Sequence, residues 1–394
     1  MKLCIHRGTH QIGGIAAEIS TASTRILIDM GDELSLDPNF VSAPLDIPGV
    51  TDANGHCNAV LFTHYHGDHT GQMLRIRPEI PIYAGALAKD IMRLSAERGG
   101  QKNEALCKRI ETIRFFSPGK PFLIGDIQIT PFCIDHSACD SYMFLIEADG
   151  KRLLYTGDFR LHGMRGNVMD KILERRIGTV DVVVTEGTTV SRSEHEVVTE
   201  WDLQKRVKTY LRQYKYVFVL CATTNLDRIF ALARAVPRGK YCICDEYQKT
   251  LVKAVSDRWS SLSTFYQMPK LTTYGDNLLP RFQERGGLMF VRANRQFERI
   301  IRQFDPQQSI LLYSMWDGYR TKPDSTIPEF LSLTGTWAEL HTSGHASPDD
   351  LRHVIEKADP EIVIPMHTEA PQKMQALCQN HKVILLKDRE ELSL

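Results

Sequence analysis

Short apolar runs bounded by polar residues recur along the first half of this chain of 394 residues. The segments TRILIDMG (24–31) and NAVLFTH (58–64) predict buried strands, whereas AGALAKDIMRLSAERG (84–99) has apolar residues at helical spacing. Further on, YMFLIEADGKRLLYTGD (142–158) alternates as strands do, and its Asp149-Gly150 pair predicts a hairpin turn. The first half is therefore predicted to be rich in strands.

From about residue 188 the pattern changes to strands alternating with helices. The helical stretches are EVVTEWDLQKRVKTYLRQYK (196–215), NLDRIFALARAV (225–236) and YQKTLVKAVSDRW (247–259), and the strands between them are YVFVLCA (216–222) and KYCICD (240–245). This alternation is typical of a parallel sheet covered by helices.

The tail repeats the alternation on a smaller scale, with helices over 347–358 and 370–381 and strands over 361–367 and 382–388. No low-complexity linker separates these parts. We therefore predict one domain inserted within another: residues 1–187 form the first part of the host domain, residues 188–340 form the insert, and residues 341–394 return to the host.

Composition narrows the class of protein. Hydrophobic residues make up 42% of the chain and charged residues 24%, which is typical of a globular protein. The longest apolar runs fall well short of the ~20 residues of a membrane span, so no membrane partner is expected. The first residues lack the apolar core of a signal peptide, and the nine cysteines are scattered, which together favour a cytoplasmic protein without a disulfide framework.

Charge is balanced over the whole chain but not within it. There are 48 basic and 48 acidic residues in total, whereas residues 188–340 carry 22 Lys and Arg against 16 Asp and Glu, a net charge of +6. A basic insert suits a polyanionic ligand, although solvated helix faces have similar charge. Arg292, Arg295, Arg299 and Arg302 lie at helical spacing and either line a groove or face water.

The segment FTHYHGDHTGQ (62–72) places His64, His66, Asp68 and His69 directly after an apolar run. Imidazoles and carboxylates suit Zn²⁺, but residues so close together cannot complete two metal shells, so more ligands are needed. Each further candidate is a polar ligand type at the end of an apolar run; they are His136, Asp158 and His367. Any one of them alone is explained as a residue that ends a strand. Together they indicate a metal centre.

These motifs, in the order ILIDMG, FTHYHGDHTGQ, IDHS, YTGDFR and PMHTE, resemble the metallo-β-lactamase fold and within it the β-CASP nucleases. That branch includes ribonuclease J and the mRNA 3′-end endonucleases. The resemblance implies an α/β fold, an αββα sandwich with an inserted parallel-sheet β-CASP domain. It also implies two Zn²⁺ ions, with Mn²⁺ as an alternative.

The resemblance assigns ligands to both ions. His64, His66, His136 and Asp158 would bind one ion. The other would be bound by Asp68, His69, Asp158 and His367, so that Asp158 bridges the pair. Asp29 would hold the ligand histidines in orientation.

Three further elements match the branch. Glu186 in VVTEGTT stands at the acidic motif A, His345 in HTSGHAS at motif B and His367 at motif C. In the family a histidine at motif C goes with RNA, whereas the DNA cross-link repair branch has an apolar residue there. Two metal ions suit an in-line displacement at phosphorus, and a histidine oriented by a carboxylate can protonate the leaving oxygen. Asp68, Glu186 and His345 are therefore the predicted catalytic residues.

The segment HTSGHAS also resembles the part of ribonuclease J that holds a terminal 5′-phosphate. The predicted phosphate-binding residues are His341, Ser343, Gly344, His345 and Ala346. The alternative role of this segment is helix capping by Ser347. In the insert, weaker candidates follow strand ends: Asn225, Asp227 and Arg228 for backbone phosphates, and YSMWDGYR (313–320), whose Trp316 is expected more often in a core.

We therefore expect a zinc-dependent ribonuclease that acts on single-stranded RNA and leaves 5′-phosphate and 3′-hydroxyl ends, by endonucleolytic or 5′–3′ exonucleolytic cleavage. The alternatives are a DNA-directed nuclease of the same architecture, a small-molecule hydrolase and a catalytically idle binding subunit. The chain ends at Leu394, soon after motif C, so the extra C-terminal domain of ribonuclease J is expected to be missing. Its oligomeric state is left open between monomer and homodimer.

Overall fold

A computed structural model describes residues 1–37, 39–192, 197–275 and 277–394 of the chain. The chain folds into two compact units. The first comprises Met1–Leu34, Val41–His195 and Gly344–Leu394, and the second comprises Ser35–Phe40 and Glu196–Ser343. The domain boundaries at 187/188 and 340/341 stay predictions, because the limits of a compact unit do not by themselves define a domain.

The secondary structure follows the alternation of apolar runs. Before the insertion the strands are β1 (Lys2–Arg7), β2 (Ala16–Ser20), β3 (Arg25–Ile28), β4 (Ala59–Leu61), β5 (Ile82–Ala84), β6 (Arg114–Phe115), β7 (Phe122–Ile124), β8 (Ile127–Ile134), β9 (Ser141–Ala148), β10 (Lys151–Tyr155) and β11 (Val182–Glu186). The helices of the same part are α1 (Gly67–Thr70), α2 (Ala86–Glu97), α3 (Glu104–Glu111) and α4 (Val168–Ile172).

The second unit contains the strands β12 (Tyr216–Cys221), β13 (Tyr241–Cys244), β14 (Thr272–Thr273), β15 (Gly287–Val291), β16 (Ser309–Ser314) and β17 (Trp337–Glu339). Its helices are α5 (Glu200–Gln213), α6 (Leu226–Ala233), α7 (Glu246–Trp259), α8 (Leu279–Arg285), α9 (Arg295–Ile301), α10 (Asp317–Thr321) and α11 (Ile327–Leu331). The chain then returns to the first unit with α12 (Pro348–Ala358), β18 (Ile362–Met366), α13 (Lys373–Leu377), β19 (Lys382–Val383) and β20 (Glu391–Ser393).

Two seven-stranded sheets form the first unit, in the orders β20-β1-β2-β3-β4-β5-β6 and β19-β18-β11-β10-β9-β8-β7. Strand β9 shows how they are packed, because its side chains alternate between two apolar layers. Phe144 and Ile146 join residues of both sheets in the central core, whereas Met143 and Leu145 pack with residues of α4, α12 and α13. Each fully buried side chain of this kind stabilises the fold by roughly 1.5–3 kcal/mol.

Helices cover the outer faces of both sheets. Helix α2 buries Leu87, Ile91 and Met92 and contacts β6 of the first sheet. Helix α12 buries Leu351 and Val354 against the second sheet. The predicted αββα sandwich is confirmed.

The second unit has one parallel sheet with the strand order β14-β13-β15-β12-β16-β17. All six residues of β12 are buried, because this strand lies inside the sheet. Phe218 on β12 packs with Met289 and Leu311 of the neighbouring strands and with Phe297 of α9. The α/β character predicted for the insert is confirmed.

Some element boundaries differ from the predicted ones. The helix expected over 196–215 begins at Glu200, where Thr199 and Asp202 form a capping box; residue 196 lies outside the described residues. In the tail, α13 and β19 are much shorter than their apolar patterns predict. Strand β19 lies at the edge of its sheet, beside β18.

Candidate metal centre and active site

The predicted ligands of the first unit lie where its strands end. Strands β10, β11 and β18 run parallel in one sheet, with Tyr155 opposite Val184 and Glu186 opposite Met366. Because parallel strands end at the same edge, Asp158 and His367, which follow β10 and β18, are brought together there. His64 follows β4 in the facing sheet.

The first cluster consists of His64, His66 and His136, whose ligand nitrogens all lie within 4.8 Å of one another. His64 Nε2 is 3.1 Å from His66 Nδ1, and His136 Nε2 is 3.3 Å from the same atom. The other nitrogen of His136 donates to the Gly344 carbonyl oxygen at 2.6 Å, so its Nε2 carries a lone pair directed at the cluster.

The second cluster consists of Asp68, His69, Asp158 and His367. The Asp158 Oδ2 atom is 3.1 Å from His69 Nε2 and 3.6 Å from His367 Nε2, and Asp68 Oδ2 is 3.4 Å from His367 Nε2. Asp68 and His367 are 299 residues apart in the sequence.

The Asp158 carboxylate lies between the two clusters. Besides the second cluster, its Oδ2 is 4.0 Å from Nε2 of His64 and 4.0 Å from Nε2 of His136. Imidazole nitrogens and carboxylate oxygens that converge on buried points are the donor set of zinc sites. The residues present therefore fit metal binding in both clusters.

The electrostatics of the clusters support that fit. Burial, together with the neighbouring histidines, holds the pKa of His64 well below its usual value, and burial lowers the pKa of His66 to about 4. The pKa of His136 is also lowered by burial. These three imidazoles are neutral near pH 7, which is the form that binds a metal.

In the second cluster the pKa shifts favour the charged forms of the side chains. Burial opposes the charge of Asp158, but His367 and His69 outweigh it and hold the carboxylate pKa well below its usual range. Asp158 and Asp29 likewise raise the pKa of His69 against the effect of burial. The second cluster thus holds ionised carboxylates, which suit a cation.

Asp29 orients this cluster from behind. It is fully buried and has a φ of 62°, a left-handed conformation that is uncommon outside glycine. Its carboxylate lies 2.8 Å from His69 Nδ1 and accepts hydrogen bonds from the Thr63 backbone N–H and hydroxyl. These contacts direct His69 Nε2 towards Asp158.

The predicted catalytic residues Glu186 and His345 contact each other at the same edge. Their contact joins Glu186 Oε2 and His345 Nδ1 at 2.9 Å, while the other carboxylate oxygen accepts from the Phe159 backbone N–H at 2.9 Å. Burial disfavours the charged imidazole, but Glu186 and Asp158 raise the pKa of His345 overall. A histidine whose raised pKa favours the protonated ring, and which lies beside the Asp158 carboxylate, is suited to proton donation.

The predicted phosphate-binding segment is divided between the two units. His341 and Ser343 belong to the second unit, and Gly344, His345 and Ala346 belong to the first. In the first unit, the Ala346 backbone N–H contacts Glu186 Oε1 at 3.5 Å. Phosphate binding there would have to compete with this internal contact.

The predicted capping role of the same segment is present. Ser347 and Asp350 form a capping box at the start of α12. The Ser347 hydroxyl accepts from the Asp350 backbone N–H at 3.1 Å.

Two hydroxyl residues near the site were not singled out from the sequence. The Thr188 hydroxyl lies 2.8 Å from His367 Nδ1, and the Thr63 hydroxyl lies 3.0 Å from His64 Nδ1. Each threonine lies two residues past the end of a strand, Thr63 after β4 and Thr188 after β11, and this position is the signal that could have identified them. They fix the orientation of the histidine rings.

Two phosphate contacts predicted in the insert are wrong. Arg228 is buried and donates to Glu200 at 2.6 Å, and Asp227 is buried and accepts from Tyr266 at 2.8 Å. Their position after a strand end predicted contacts with backbone phosphates. In the structure, both residues lie in the first turn of α6 and their side chains point into the protein.

The other candidates in the insert include two arginines that pair with acidic side chains and a tryptophan that is exposed. Arg292 donates to Asp245 at 2.7 Å, and Arg302 pairs with Glu298 within α9. Trp316, expected more often in a core, is 44% exposed. Within the part of the chain that is described, no helix is both long and apolar enough to cross a membrane.

Comparison with known families gives two matches along the chain. A model of the beta-lactamase superfamily domain matches residues 24–213. A model of the Zn-dependent metallo-hydrolase RNA specificity domain matches residues 338–383, which include His345 and His367.

Two named relatives, both ribonuclease J proteins, are distant in sequence from this chain. The chain is 22% identical over 352 residues to a ribonuclease J of Sinorhizobium meliloti, covering 82% of this chain and 60% of that protein. It is 22% identical over 350 residues to a ribonuclease J of Thermus thermophilus, covering 80% of this chain and 59% of that protein. The chain therefore spans less than two thirds of these relatives.

Among solved structures of similar fold, one example matches over the full length. It is the crystal structure of a protein of unknown function from Enterococcus faecalis V583, with a TM-score of 0.79 and 21% sequence identity, and the match covers 100% of this chain and 99% of that one.

Proposed function

We propose that this chain is a zinc-dependent ribonuclease of the β-CASP type, because it matches the beta-lactamase superfamily domain and, further along, the RNA specificity domain of zinc-dependent metallo-hydrolases. The observation that carries the proposal is the position of the Glu186–His345 pair. His345 Nδ1 lies 3.6 Å from Asp158 Oδ2, and this short distance between the His345 ring and the ligand clusters supports the proposal that His345 is the proton donor.

We assign two Zn²⁺ ions to the site, with Mn²⁺ as the alternative metal. One ion would be held by His64, His66, His136 and Asp158. The other would be held by Asp68, His69, Asp158 and His367. When bound, such a pair supplies Lewis acidity to a phosphodiester and lowers the pKa of water.

The side chains of the protein supply orientation and a proton. The Asp68 carboxylate orients the attacking water by accepting a hydrogen bond from it. The proton that the water loses as its oxygen bonds to phosphorus passes through Asp68 to solvent, and His345 regains its own proton from solvent after turnover. As the P–O3′ bond breaks, the leaving 3′-oxygen takes a proton from His345. Since Nδ1 of His345 contacts Glu186, we assign the donation to Nε2. The products are a 3′-hydroxyl end and a 5′-phosphate end.

Single-stranded RNA is the proposed substrate, and DNA is the alternative. The segment from His341 to Ala346 is proposed to contact a substrate phosphate, through its backbone N–H groups and the Ser343 hydroxyl. A cytoplasmic location, the balance of endonucleolytic and exonucleolytic cleavage, and the choice between monomer and homodimer stay predictions.

The test incubates the purified protein with 5′-monophosphorylated RNA, 5′-hydroxyl RNA and matched single-stranded DNA. We expect metal-dependent cleavage of RNA, and its loss in His64→Ala. His353→Ala is the matched control, because His353 pairs with Asp170 away from the clusters. Absence of cleavage of every substrate would overturn the proposal, and equal cleavage of DNA would favour the alternative substrate.

A further inference from the structure

An exposed aromatic platform follows strand β16 in the second unit. Trp316 and Tyr319 are 44% and 48% exposed, and their ring centroids are 5.5 Å apart in an edge-to-face arrangement. The indole of Trp316 lies over Gly318, where any Cβ would collide with the ring. Tyr313 fixes the backbone by donating from its hydroxyl to the Trp316 carbonyl at 2.7 Å. The platform is therefore held rigidly although it faces solvent.

A buried amide without a partner follows the neighbouring strand β12. Asn225 is 7% exposed and precedes α6, where an asparagine usually accepts a backbone N–H of the first turn. Here its side chain makes no such capping bond, and among the described residues nothing donates to its Oδ1 atom. A buried acceptor left without a donor is unfavourable, so this atom is suited to a ligand that brings one.

These two features share one edge of the parallel sheet. β12 and β16 are neighbours, with Cys221 opposite Ser314 at their carboxyl ends. The chain leaves β12 towards β13 on one side and leaves β16 towards β17 on the other, so the strand order reverses between them. In open parallel sheets, ligands bind outside the carboxyl ends at such a reversal.

We propose that Asn225 and Trp316 form a nucleobase-binding site at this edge, which takes an unpaired base of a single-stranded nucleic acid. The indole face stacks on the base, and Asn225 Oδ1 accepts a hydrogen bond from a ring or exocyclic N–H of its edge. Every standard RNA base offers both a flat face and an N–H donor.

Charge favours a nucleic acid over a protein partner. Residues 188–340 carry 22 basic and 16 acidic side chains. Close to the platform, the Arg320 guanidinium donates to Asp317 at 2.7 Å and lies 5.5 Å from the ring of Trp337, which is itself 42% exposed. Aromatic rings interspersed with cations are the usual composition of single-strand binding surfaces.

The inference deepens the proposed ribonuclease function and rests on it for the biological ligand, but its test reads binding alone. All variants are made in the His64→Ala background so that the probe is not cleaved. Affinities are measured by fluorescence anisotropy for a single-stranded RNA and for an abasic strand of equal length and charge.

We expect Trp316→Ala to weaken binding of the RNA by about 5- to 100-fold, the range for loss of one base–aromatic stack, and to leave the abasic strand unaffected. Trp316→Phe should retain most of the affinity, because it retains a ring. Asn225→Ala should cost about 2- to 10-fold, as for one hydrogen bond. Trp201→Ala is the matched control, since Trp201 is 50% exposed but lies on α5.

Equal effects of Trp316→Ala and Trp201→Ala, or equal losses with RNA and the abasic strand, would overturn the site. Loss of a dimer in Trp316→Ala with unchanged RNA affinity would instead assign the platform to a second copy of the chain. If Trp316→Ala does not fold, Trp316→Leu against Trp316→Phe decides, because leucine fills space without a ring. Because the assay measures binding and not cleavage, its result does not depend on whether the protein is a ribonuclease. A failure of the base-binding proposal can therefore be told apart from a failure of the ribonuclease proposal.

Discussion

Replacing Asp29 with asparagine tests whether this buried carboxylate prepares the second ligand cluster for its ion. The carboxylate makes three contacts, each of 2.8 Å: one with His69 Nδ1, one with the Thr63 backbone N–H and one with the Thr63 hydroxyl. Asparagine has nearly the same shape but only one acceptor oxygen. If that oxygen keeps the Thr63 backbone N–H, the new NH₂ group faces the Nδ1–H of His69, and two donors oppose each other.

The expected size of the effect follows from the bond that is lost. A hydrogen bond to a charged group contributes about 1.5–3 kcal/mol. Residues that orient metal-bound histidines typically change metal affinity by about 10- to 100-fold, which corresponds to a similar free energy. We therefore expect Asp29→Asn to weaken binding of one zinc ion by roughly that factor, while the ion held by His64, His66 and His136 is retained.

The assay is a competition titration with a fluorescent zinc chelator, which resolves the two binding steps. Asp140→Asn is the matched control, because Asp140 is equally buried and accepts from the Ala88 N–H and the Tyr142 hydroxyl at 2.8 Å, without contacting a predicted ligand. Asp29→Asn binding two ions as tightly as the parent would refute the reasoning. So would an equal loss in Asp140→Asn, since general destabilisation would then explain both.

Further predictions address the remaining parts. Glu186→Gln and His345→Ala should each lower kcat by about 100-fold or more while the zinc content stays unchanged, and an unaltered rate would disprove the proton-donor role. Chelation of the metal should lower Tm in calorimetry, because an ion at 100 times its Kd stabilises the folded state by about 2.7 kcal/mol; an unchanged Tm would argue against a metal centre. Phe218→Ala should destabilise the second unit by about 3–5 kcal/mol in urea unfolding, and a loss below 1 kcal/mol would contradict its core position. Burial opposes the charge of Asp350, but its contact with His162 lowers the carboxylate pKa from 3.8, so the stability it contributes is present above that pH and is lost as the pH falls further. Asp350→Asn should therefore flatten the decline of stability below about pH 4, and an unchanged acid limb would show that the pair contributes nothing.

The positions of the candidate site residues at strand ends could be predicted because the signals for them lie within a few neighbouring residues. A ligand type that abruptly follows an apolar run marks a strand end, and His136, Asp158 and His367 each carry that signal without knowledge of their neighbours. The Asp149–Gly150 turn is equally local, and β9 and β10 pair across it with Ala148 opposite Lys151. Ser347 and Asp350 likewise form their capping box within one turn of helix.

The hydrogen-bond partners of polar side chains in the insert could not be predicted from the sequence, because they depend on which face of a helix packs against which neighbour. Asp227, Arg228 and Asn225 are all polar residues near the end of β12. Asp227 accepts a hydrogen bond from Tyr266, and Arg228 donates to Glu200. Of these three residues, Asn225 has a buried acceptor that receives no hydrogen bond from the described residues. Composition could not distinguish these three side chains, because their partners come from other helices and turns.

The sequence by itself determined which residues of metal-ligand type stand at strand ends, and it determined the change of pattern that distinguishes the sheets of the first unit from the sheet of the second. Only the tertiary structure decided that Thr188 contacts the ring of His367, that Asp227 and Arg228 are buried, and that Trp316 faces solvent rather than a core. The physical reason is the range of the interactions. Strand and turn preferences act over a few residues, whereas a metal cluster or an exposed ring is defined by the packing of segments hundreds of residues apart.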